Sequence, residues 1–351
     1  MPPAATPALL NNALNQLNGV YLNLKTRAPR NRTLTCSDDE RTSLESLLLH
    51  LDAPASISLL ENRTVNQDFF SAISLLPRAF VDLLILDPPY NLSKDYNGNR
   101  FSKKDGDTYR KWFLNVLELI VPTLTASASI YVCSDWKTSI LIAPILEELF
   151  QIQNRVTWER EKGRGAKSNW KNNTEDIWFC TRSQDYVFNV DSVKLKRKVI
   201  APYRDAEGAP KDWQEEDDGN FRLTFPSNIW SDITIPFWSM PENTDHPTQK
   251  PEKLIAKLVL ASSSPGDFVL DPFVGSGTTS VVCKKLARKF LGIEQNLEYC
   301  CWTEKRLQLA NRDKSIQGYS DGVFWERNSL SEQKPEKKTP IGQQTLSLFD
   351  E

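Results

Sequence analysis

Four consecutive residues, Asp87-Pro88-Pro89-Tyr90, follow an apolar run and could act on an aromatic amine. Neither proline can donate a hydrogen bond to a sheet, so a strand must end before them and leave carbonyl groups free. The Asp87 carboxylate and the Pro88 carbonyl are acceptors, and the Tyr90 ring is a surface for stacking. Two acceptors could hold the two N–H bonds of an NH2 group on a planar ring. The nitrogen could then attack a carbon electrophile through positioning and electrostatics alone. The alternative is an ordinary Asp-Pro turn.

A second candidate site lies in the segment GDFVLDPFVGSGTT, residues 266–279. It predicts a strand that ends at Asp271, a tight turn through Gly275-Ser276-Gly277 and then a helix. Glycines let a ligand approach the backbone, and the free amides of a helix N-terminus favour an anion. Glu294 follows about 20 residues later, where an acidic side chain binds ribose hydroxyls in nucleoside-binding sheets. The GxGxxG and GK[ST] motifs are absent, and a purely structural turn is the alternative.

The alternation of strands and helices predicts the fold that positions both motifs. Buried strands are predicted at 81–87, 127–135 and 290–296, with another before the glycine turn. Helices are predicted at 140–150 and 280–289. This order indicates an α/β fold with a doubly wound, mostly parallel sheet. Ligands of such sheets bind beyond the carboxyl ends of the strands, where both motifs would lie.

Composition excludes several classes of protein. The 351 residues carry a formal net charge of −2, so an anionic partner needs a local basic patch. No apolar run approaches the roughly 18 residues of a membrane span, and the N-terminus lacks the features of a signal peptide. Six scattered cysteines without a CxxC pair predict reduced thiols in a cytoplasm. With two histidines, His50 and His246, a zinc site or a Ser-His-Asp hydrolase is disfavoured, and no metal is expected.

Together, the two motifs resemble those of S-adenosylmethionine-dependent DNA amino-methyltransferases. The resemblance spans about two-thirds of the chain, from Asn66 to Leu307. It includes NQDFFSAISLLPRAFVDLLILDPPYN, SNIWSDI, HPTQKPEKLIAKLVLASSSPGDFVLDPFVGSGTT and FLGIEQNLEY. The order of the motifs resembles the beta group, which implies a circularly permuted, Rossmann-like methyltransferase sheet with an inserted target-recognition region.

The resemblance implies S-adenosyl-L-methionine as the cofactor and assigns residues to it. Glu294 would bind its ribose and Asp68 the edge of its adenine. The HPTQKP stretch would close on the methionine carboxylate, although His246 could equally be a buried structural residue. The residues expected to hold the cofactor are Asp68, His246, Thr248, Lys250, Asp271, Phe273, Gly275, Ser276, Gly277, Thr278 and Glu294. The residues expected to hold the target base are Asp87, Pro88, Pro89 and Tyr90.

The target base is predicted to be adenine, methylated at N6, because DPPY resembles the adenine enzymes. Cytosine-N4 methylation is the alternative, since the chemistry of Asp87 and Tyr90 excludes neither base. Methylation at cytosine C5 is disfavoured because no cysteine follows a proline here. A catalytically silent DNA-binding protein and an amine methyltransferase acting on RNA or protein are further alternatives.

The expected partner is double-stranded DNA, from which the base must be flipped before Tyr90 can cover it. Two basic runs are candidates for phosphate contact, although either could be a solvated surface. Their residues are Arg160, Lys162, Arg164 and Lys167 in the first run, and Lys196, Arg197 and Lys198 in the second. The segment Ser93–Asp107 is predicted to be a mobile loop that orders on DNA, with an inert surface loop as the alternative.

The sequence also divides into five predicted regions and suggests further partners. The segment 344–349, QTLSLF, resembles sliding-clamp peptides through Gln344, Leu346, Leu348 and Phe349, with a plain tail as the alternative. A cognate restriction endonuclease and a location at the nucleoid of a bacterial cytoplasm are also predicted. The regions are an N-terminal arm at 1–57, a catalytic half at 58–182, a target-recognition insert at 183–240, a cofactor-binding half at 241–324 and a flexible tail at 325–351.

Overall fold

A computed structural model describes residues 28–160, 168–199, 203–217 and 219–326. Its strands are β1 (Arg63–Asn66), β2 (Val81–Leu86), β3 (Lys94–Tyr96), β4 (Asn99–Phe101), β5 (Leu124–Ser134), β6 (Gln151–Glu159), β7 (Thr174–Thr181), β8 (Leu195–Lys198), β9 (Gln214–Glu216), β10 (Gly219–Thr224), β11 (Ile229–Trp230), β12 (Phe268–Asp271), β13 (Lys289–Glu294), β14 (Tyr319–Ser320) and β15 (Val323–Trp325). Its helices are α1 (Asp38–Glu45), α2 (Ile57–Leu60), α3 (Phe69–Ile73), α4 (Gly106–Ile120), α5 (Trp136–Leu149), α6 (Glu252–Ser262), α7 (Thr278–Lys285) and α8 (Leu297–Ala310).

The central sheet has eight strands in the order β1-β13-β12-β2-β5-β7-β6-β11. Neighbouring strands are parallel except at β7, which runs antiparallel to both β5 and β6. Helices cover both faces of this sheet. The prediction of an α/β fold with a doubly wound, mostly parallel sheet is therefore confirmed.

Strand β2 lies in the middle of the sheet and is buried on both faces. Leu84 and Leu86 pack with α4 and α5 on one side, and Leu83 and Ile85 pack with α6 and α7 on the other. All four side chains are fully buried. Because both faces of a central parallel strand meet helices, its sequence is a continuous apolar run rather than an alternating one. This burial fixes the position at which Asp87 leaves the sheet.

The pairing of β2 with β12 brings the two sequence motifs to the same edge of the sheet. The strands are parallel, with Leu83 opposite Val269 and Leu84 opposite Leu270. Strand β2 ends at Leu86 and β12 ends at Asp271. The carboxyl ends of both strands therefore point in one direction, and the DPPY segment and the glycine turn follow them side by side.

The sequence SDDE at 37–40 predicts a capping box, and RTSLESLLLHL after it predicts a helix that continues to residue 51. Ser37 and Glu40 form the expected capping box at the start of α1. The helix ends at Glu45 instead of continuing to residue 51, because the Leu49 backbone N–H donates a hydrogen bond to the Thr64 carbonyl of β1. No helix within the described ranges is long and apolar enough to cross a membrane.

The segment predicted as a mobile loop after the DPPY motif contains the hairpin of β3 and β4. Its turn is Asn97-Gly98, and both residues have positive φ angles, 53° and 91°. Asn-Gly is the preferred pair in such two-residue turns, so the sequence contained a hairpin signal that the prediction did not use. The Asn97 amide also donates to the Glu298 carboxylate, which connects the hairpin tip to α8.

The predicted insert contributes three strands to a second sheet of five, in the order β14-β15-β8-β10-β9. The other two strands come from residues 319–325. Strand β15 is parallel to β8, with Phe324 opposite Leu195. Backbone hydrogen bonds therefore join the insert to a strand far along the chain, since Phe324 follows Leu195 by 129 residues.

A buried ion cluster connects the insert to α6. The Asp232 carboxylate lies 2.7 Å from the Lys253 ammonium group and 3.0 Å from that of Lys257. Burial alone would raise the pKa of Asp232, but the two ammonium groups outweigh it and lower this pKa. Burial lowers the pKa of Lys257 to about 8, so the cost of burying that charge offsets part of the attraction.

We expect Asp232→Asn to lower the free energy of unfolding by about 3 kcal/mol, because two cations lose their buried carboxylate. The lowered pKa of Asp232 stabilises the fold above the aspartate pKa of the unfolded chain. That contribution is lost as the pH falls below about 4, through the folded-state pKa. Urea unfolding at pH 7 and at pH 3.5 measures both effects, and the variant should lose less stability on acidification than the wild type.

The matched control is Asp107→Asn. Asp107 also pairs with a cation, Arg110 at 2.7 Å, but its side chain is 82 % exposed. Exposed pairs contribute less than about 1 kcal/mol. Equal losses for the two variants would contradict the structural importance assigned to the buried cluster.

Candidate active site

One cavity of about 500 Å³ lies at the carboxyl ends of β2, β12 and β13, and both sequence motifs line it. Its wall contains Asp87, Pro88, Pro89 and Tyr90 from one motif, and Phe273, Gly275 and Glu294 from the other. Asp68, His246, Thr248 and Lys250 line it as well. This volume is in the range of small-molecule sites. The structure therefore brings most of the predicted site residues together.

The glycine turn leaves room where a side chain would collide with its neighbours. Gly275 and Gly277 have positive φ angles, 54° and 83°. A Cβ atom at Gly275 would lie 2.9 Å from His246 Nε2, and one at Gly277 would lie 2.5 Å from Thr303 Cγ2. Both positions thus require glycine for conformation and for space. The backbone of the turn can therefore approach both His246 and a ligand.

Among the described residues that were predicted to hold the cofactor, four do not line the cavity. Asp271 is buried beneath the turn, where its carboxylate accepts hydrogen bonds from Thr279 Oγ1 at 2.5 Å and from the Phe273 amide at 3.1 Å. Burial raises the pKa of Asp271 to about 7. Ser276, Gly277 and Thr278 also lie behind the wall, so these four residues shape the turn from behind it.

Glu294 and Asp68 line the cavity where the prediction places the cofactor nucleoside. The Glu294 carboxylate accepts hydrogen bonds from the Gly275 amide at 3.2 Å and the Asn296 amide at 2.7 Å. Burial nevertheless raises its pKa to about 7. The Asp68 carboxylate caps α3 by accepting from the Phe70 amide at 2.9 Å, and its side chain is exposed. Both carboxylates keep acceptor capacity towards the cavity.

Three aromatic rings form part of the cavity wall. The Phe273 ring stacks on Phe69 with 5.1 Å between the centroids. The Trp112 ring lies 6.5 Å from Phe273 and also lines the cavity. A flat, mainly apolar ligand suits this part of the wall.

The DPPY segment is held rigidly at the other end of the cavity. The Tyr90 hydroxyl donates to Asp87 Oδ1 at 2.9 Å. Tyr109 donates to the Pro89 carbonyl at 2.9 Å, and the Asn91 amide donates to Thr138 Oγ1 at 3.1 Å. These contacts fix the acceptor and the ring before any ligand arrives, which favours chemistry by positioning.

Lys250 lies at the DPPY end of the cavity, which differs from its predicted place at the methionine carboxylate. Its ammonium group is 2.6 Å from Asp87 Oδ2, 3.3 Å from Glu175 Oε2 and 3.2 Å from the Tyr90 hydroxyl. Burial would lower the pKa of Lys250, but the two carboxylates outweigh it and raise this pKa. Thr278 Oγ1 donates a hydrogen bond to the Lys250 carbonyl at 3.0 Å, so α7, the helix after the glycine turn, positions this lysine.

His246 and Thr248 stay beside the glycine turn. The His246 ring packs edge-on against Tyr299 with 4.5 Å between the centroids. Burial lowers the pKa of His246 to about 3, so the imidazole is neutral at physiological pH. The Thr248 amide lies 3.4 Å from His246 Nδ1. His246 is thus a neutral wall of the pocket that supports the turn.

The basic residues predicted to contact DNA have different surroundings. Lys162, Arg164 and Lys167 lie outside the described residues. Arg160 lines the cavity and donates to Glu175 Oε1 at 2.6 Å. Lys196 pairs with Glu216 at 2.6 Å and is only 15 % exposed, which leaves its ammonium group poorly placed for a phosphate. Arg197 and Lys198 are exposed.

Glu175 is a charged residue of the site that sequence reasoning missed. It lies near the start of β7, has 3 % exposure and contacts Lys250, Arg160 and Tyr90. Strand β7 itself was not predicted, because its polar start, TED, hides the apolar run that follows. An acidic residue in the polar start of an apolar run was the available signal.

The chain matches the DNA methylase family N6_N4_Mtase over residues 81–305. It is 31 % identical over 284 residues to DNA adenine methyltransferase YhdJ of Escherichia coli, covering 78 % of this chain and 93 % of that protein. It is 33 % identical to Type II methyltransferase M.HpaI of Haemophilus parainfluenzae, covering 71 % and 74 %.

A solved structure of PvuII DNA methyltransferase (cytosine-N4-specific) aligns with a TM-score of 0.52 and 16 % identity, covering 71 % of this chain and 91 % of that one, which supports the fold. The glycine turn, the Glu294 carboxylate and the cavity volume fit an S-adenosyl-L-methionine molecule. This chain belongs to the DNA methylase family of S-adenosyl-L-methionine-dependent methyltransferases.

Proposed function

We propose that this DNA methyltransferase methylates the N6 amine of an adenine flipped out of duplex DNA. The observation that carries the proposal is the single cavity shared by the Asp87–Tyr90 segment and the Gly275–Glu294 region. Because β2 and β12 are parallel neighbours, an amine at Asp87 faces a ligand beside Gly275 without an intervening strand. Direct transfer requires such proximity.

Each residue of the DPPY end has a separate task in this proposal. Asp87 and the Pro88 carbonyl accept the two N–H bonds of the amine and direct its lone pair. Tyr90 stacks against the base, and its hydroxyl keeps the Asp87 carboxylate in place. When bound, S-adenosyl-L-methionine supplies an electrophilic methyl group on a sulfonium. The amine proton released after transfer can pass to the Asp87 carboxylate and then to solvent.

The cofactor end would be held as the resemblance predicts, with two changes. Glu294 binds the ribose hydroxyls, and Asp68 binds the adenine edge. Phe273 and Gly275 form the pocket wall for the methionine end, with His246 and Thr248 beside them. Lys250 is reassigned to the base end because it contacts Asp87. Asp271, Ser276, Gly277 and Thr278 support the turn from behind.

Adenine is proposed over cytosine for two reasons. The DPPY segment resembles that of adenine enzymes, and a relative at 31 % identity over most of its length is named a DNA adenine methyltransferase. Cytosine N4 is the competing target, since its amine also adjoins a ring nitrogen and could donate to Asp87 and Pro88. A silent DNA-binding protein and an RNA or protein methyltransferase are disfavoured by the family and by the complete site.

Recognition of the DNA sequence is assigned to the insert at 183–240, which lies between β2 and β12 in the chain. Arg197 and Lys198 on β8 are exposed and suit phosphate contact. Lys162, Arg164 and Lys167 stay predicted phosphate contacts. A cognate restriction endonuclease also stays a prediction, supported by relatives named Type II methyltransferases. The predicted clamp-binding segment 344–349 lies outside the described residues.

The modified base is tested by incubating the protein with unmethylated genomic DNA and tritiated cofactor. Digestion to nucleosides and mass spectrometry should then yield labelled N6-methyladenine. Label found only in N4-methylcytosine would overturn the adenine assignment. Sequencing that reports modified bases in their context would give the recognition sequence from the same DNA.

Asp87→Ala should reduce methyl transfer by at least about 100-fold, because the amine loses a charged acceptor in a water-poor site. Cofactor binding, measured by isothermal titration calorimetry, should stay within about threefold of the wild type, since Asp87 adjoins the base end. Asp82→Ala is a control on the same strand, because Asp82 bonds to Thr125 and Phe268, and its side chain does not line the cavity. Near-normal turnover by Asp87→Ala would refute the assigned role.

Cofactor affinity should fall as the pH decreases below about 7, where burial places the pKa of Glu294. Only the ionised carboxylate can accept from both ribose hydroxyls in addition to the backbone amides. At pH 6 about nine-tenths of the carboxyl groups would be protonated, so affinity should be about tenfold weaker than at pH 8. Titration calorimetry across this range measures the change.

Glu294→Gln is the matched variant, since it keeps the size of the side chain and cannot ionise. It should bind the cofactor weakly with a flatter pH dependence, and it corrects for the titration of the cofactor itself. Parallel pH profiles for the two proteins would show that Glu294 is not the titrating group.

A further inference from the structure

The ammonium group of Lys250 occupies the part of the cavity that the proposed mechanism assigns to the target amine. It lies 2.6 Å from Asp87 Oδ2 and 5.5 Å from the centroid of the Tyr90 ring. Its other two contacts are the Tyr90 hydroxyl at 3.2 Å and Glu175 Oε2 at 3.3 Å. Two of the three N–H donors of the ammonium are hydrogen-bonded, to Asp87 and to Tyr90, and the contact with Glu175 is an ion pair. A base that stacks on Tyr90 and donates to Asp87 therefore encounters Lys250.

Glu175 provides Lys250 with a second carboxylate at this position. Its Oε1 atom accepts from Arg160 at 2.6 Å, and its Oε2 atom faces both Lys250 and the Tyr90 hydroxyl. Glu175 is 3 % exposed and its side chain is fixed by these contacts. Lys250 therefore bridges the half-buried Asp87 carboxylate and the buried Glu175 carboxylate, and the target amine needs only the first.

The free-energy cost of base entry depends on the contacts of Lys250 with both Asp87 and Glu175. Complete removal of a buried ammonium from its carboxylate costs several kcal/mol, because an uncompensated charge remains. If Lys250 releases Asp87 but keeps Glu175, the cation is never without a carboxylate. The four-carbon stem of a lysine allows such a small displacement, while the bond from Thr278 holds the Lys250 backbone.

We propose that Glu175 and Lys250 form an exchange site that admits the target amine to Asp87. In the free enzyme Lys250 occupies Asp87, and on base entry it moves to Glu175 while the amine takes its place. Both are positioning residues, since they act on Asp87 and not on the reacting atoms. This inference rests on the proposed function, in which Asp87 binds the amine. It assigns to Lys250 and Glu175 a task that neither sequence motif indicated.

Other charged groups near Asp87 and Glu175 also contribute to the charge balance of the site. Arg160 contacts Glu175 directly, and Lys94 of the β3–β4 hairpin interacts electrostatically with Asp87 and Glu175 from the cavity mouth. Removal of Glu175 alone leaves Lys250 with Asp87 as its single carboxylate. Removal of both Glu175 and Lys250 takes away one negative and one positive charge, so the balance of charge around Asp87 is unchanged.

The test compares Glu175→Gln, Lys250→Met and the double variant in the full-length protein. Turnover is measured as tritium transferred from the cofactor to unmethylated genomic DNA. Glu175→Gln should lower kcat by about tenfold or more, which is the rate equivalent of one hydrogen bond to a charged group. The reason is that Lys250 then stays bound to Asp87. Adding Lys250→Met should raise kcat again, since Asp87 is then released. Glu175→Asp keeps the charge and should retain more activity than Glu175→Gln.

Asp176→Asn is the matched control. Asp176 is the next residue of β7 and equally buried, but it points to the other face of the strand and contacts Arg155 and Thr157. Its kcat should equal that of the wild type. The cofactor affinity of every variant should match that of the wild type. Equal affinities would show that the pocket is folded and that any loss of activity is a loss of kcat.

Two results would overturn the exchange site. One is a kcat for Glu175→Gln within about twofold of the wild type. The other is a further loss on adding Lys250→Met, which would mean that the two residues act independently. The tritium count includes methyl groups on either base, so a cytosine target would refute the adenine assignment while the comparison among variants still decides the exchange.

Discussion

The parallel pairing of β2 with β12 is the constraint on which the site depends. Its register places the ends of both strands at the same level, with Leu84 opposite Leu270, so the DPPY segment and the glycine turn leave the sheet side by side. Neighbouring strands are only about 4.8 Å apart, and groups that follow them can face each other across one cavity. Burial of β2 on both faces fixes this register, because a shift by one residue would turn each side chain towards the opposite layer of helices.

The carboxylates in and behind the cavity wall are held in different ways at its two ends. Asp271 and Glu294 are held by hydroxyl and backbone N–H donors, and burial raises the pKa of each to about 7. At the base end, Asp87 and Glu175 share Lys250, and Glu175 also binds Arg160. Cations favour the ionised form of a carboxylate, whereas neutral donors compensate only part of the cost of burial. The base end therefore pairs its carboxylates with cations, and the cofactor end holds carboxyl groups that titrate near neutral pH.

Sequence reasoning could predict the central strands and both motifs because their signals are local. Continuous apolar runs identify strands buried on both faces, and prolines and glycines identify where those strands end. It could not place Lys250 on Asp87, since that contact joins residues 163 positions apart and depends on how α7 holds the lysine backbone. It also missed Glu175 and the strand pairing of β15 with β8, which join distant segments whose local sequences give no sign of each other. The Asn97-Gly98 turn, by contrast, was a local signal and could have been used.

The exchange at Asp87 gives a physical reason why the site would require an aromatic base and an amine in the same ligand. Stacking of a base on an aromatic ring contributes about 1–3 kcal/mol, and a hydrogen bond to a charged group contributes about 1.5–3 kcal/mol. Displacing Lys250 from Asp87 costs an amount of the same order, because one buried ion pair is broken while the pair with Glu175 is kept. Water or a small amine brings no stacking on Tyr90, and a base without an amine brings no donor for Asp87. Stacking alone or a donor alone therefore leaves Lys250 on Asp87. A flipped base with its amine supplies the stacking and the hydrogen bond at once, and it can free the Asp87 carboxylate that methyl transfer requires.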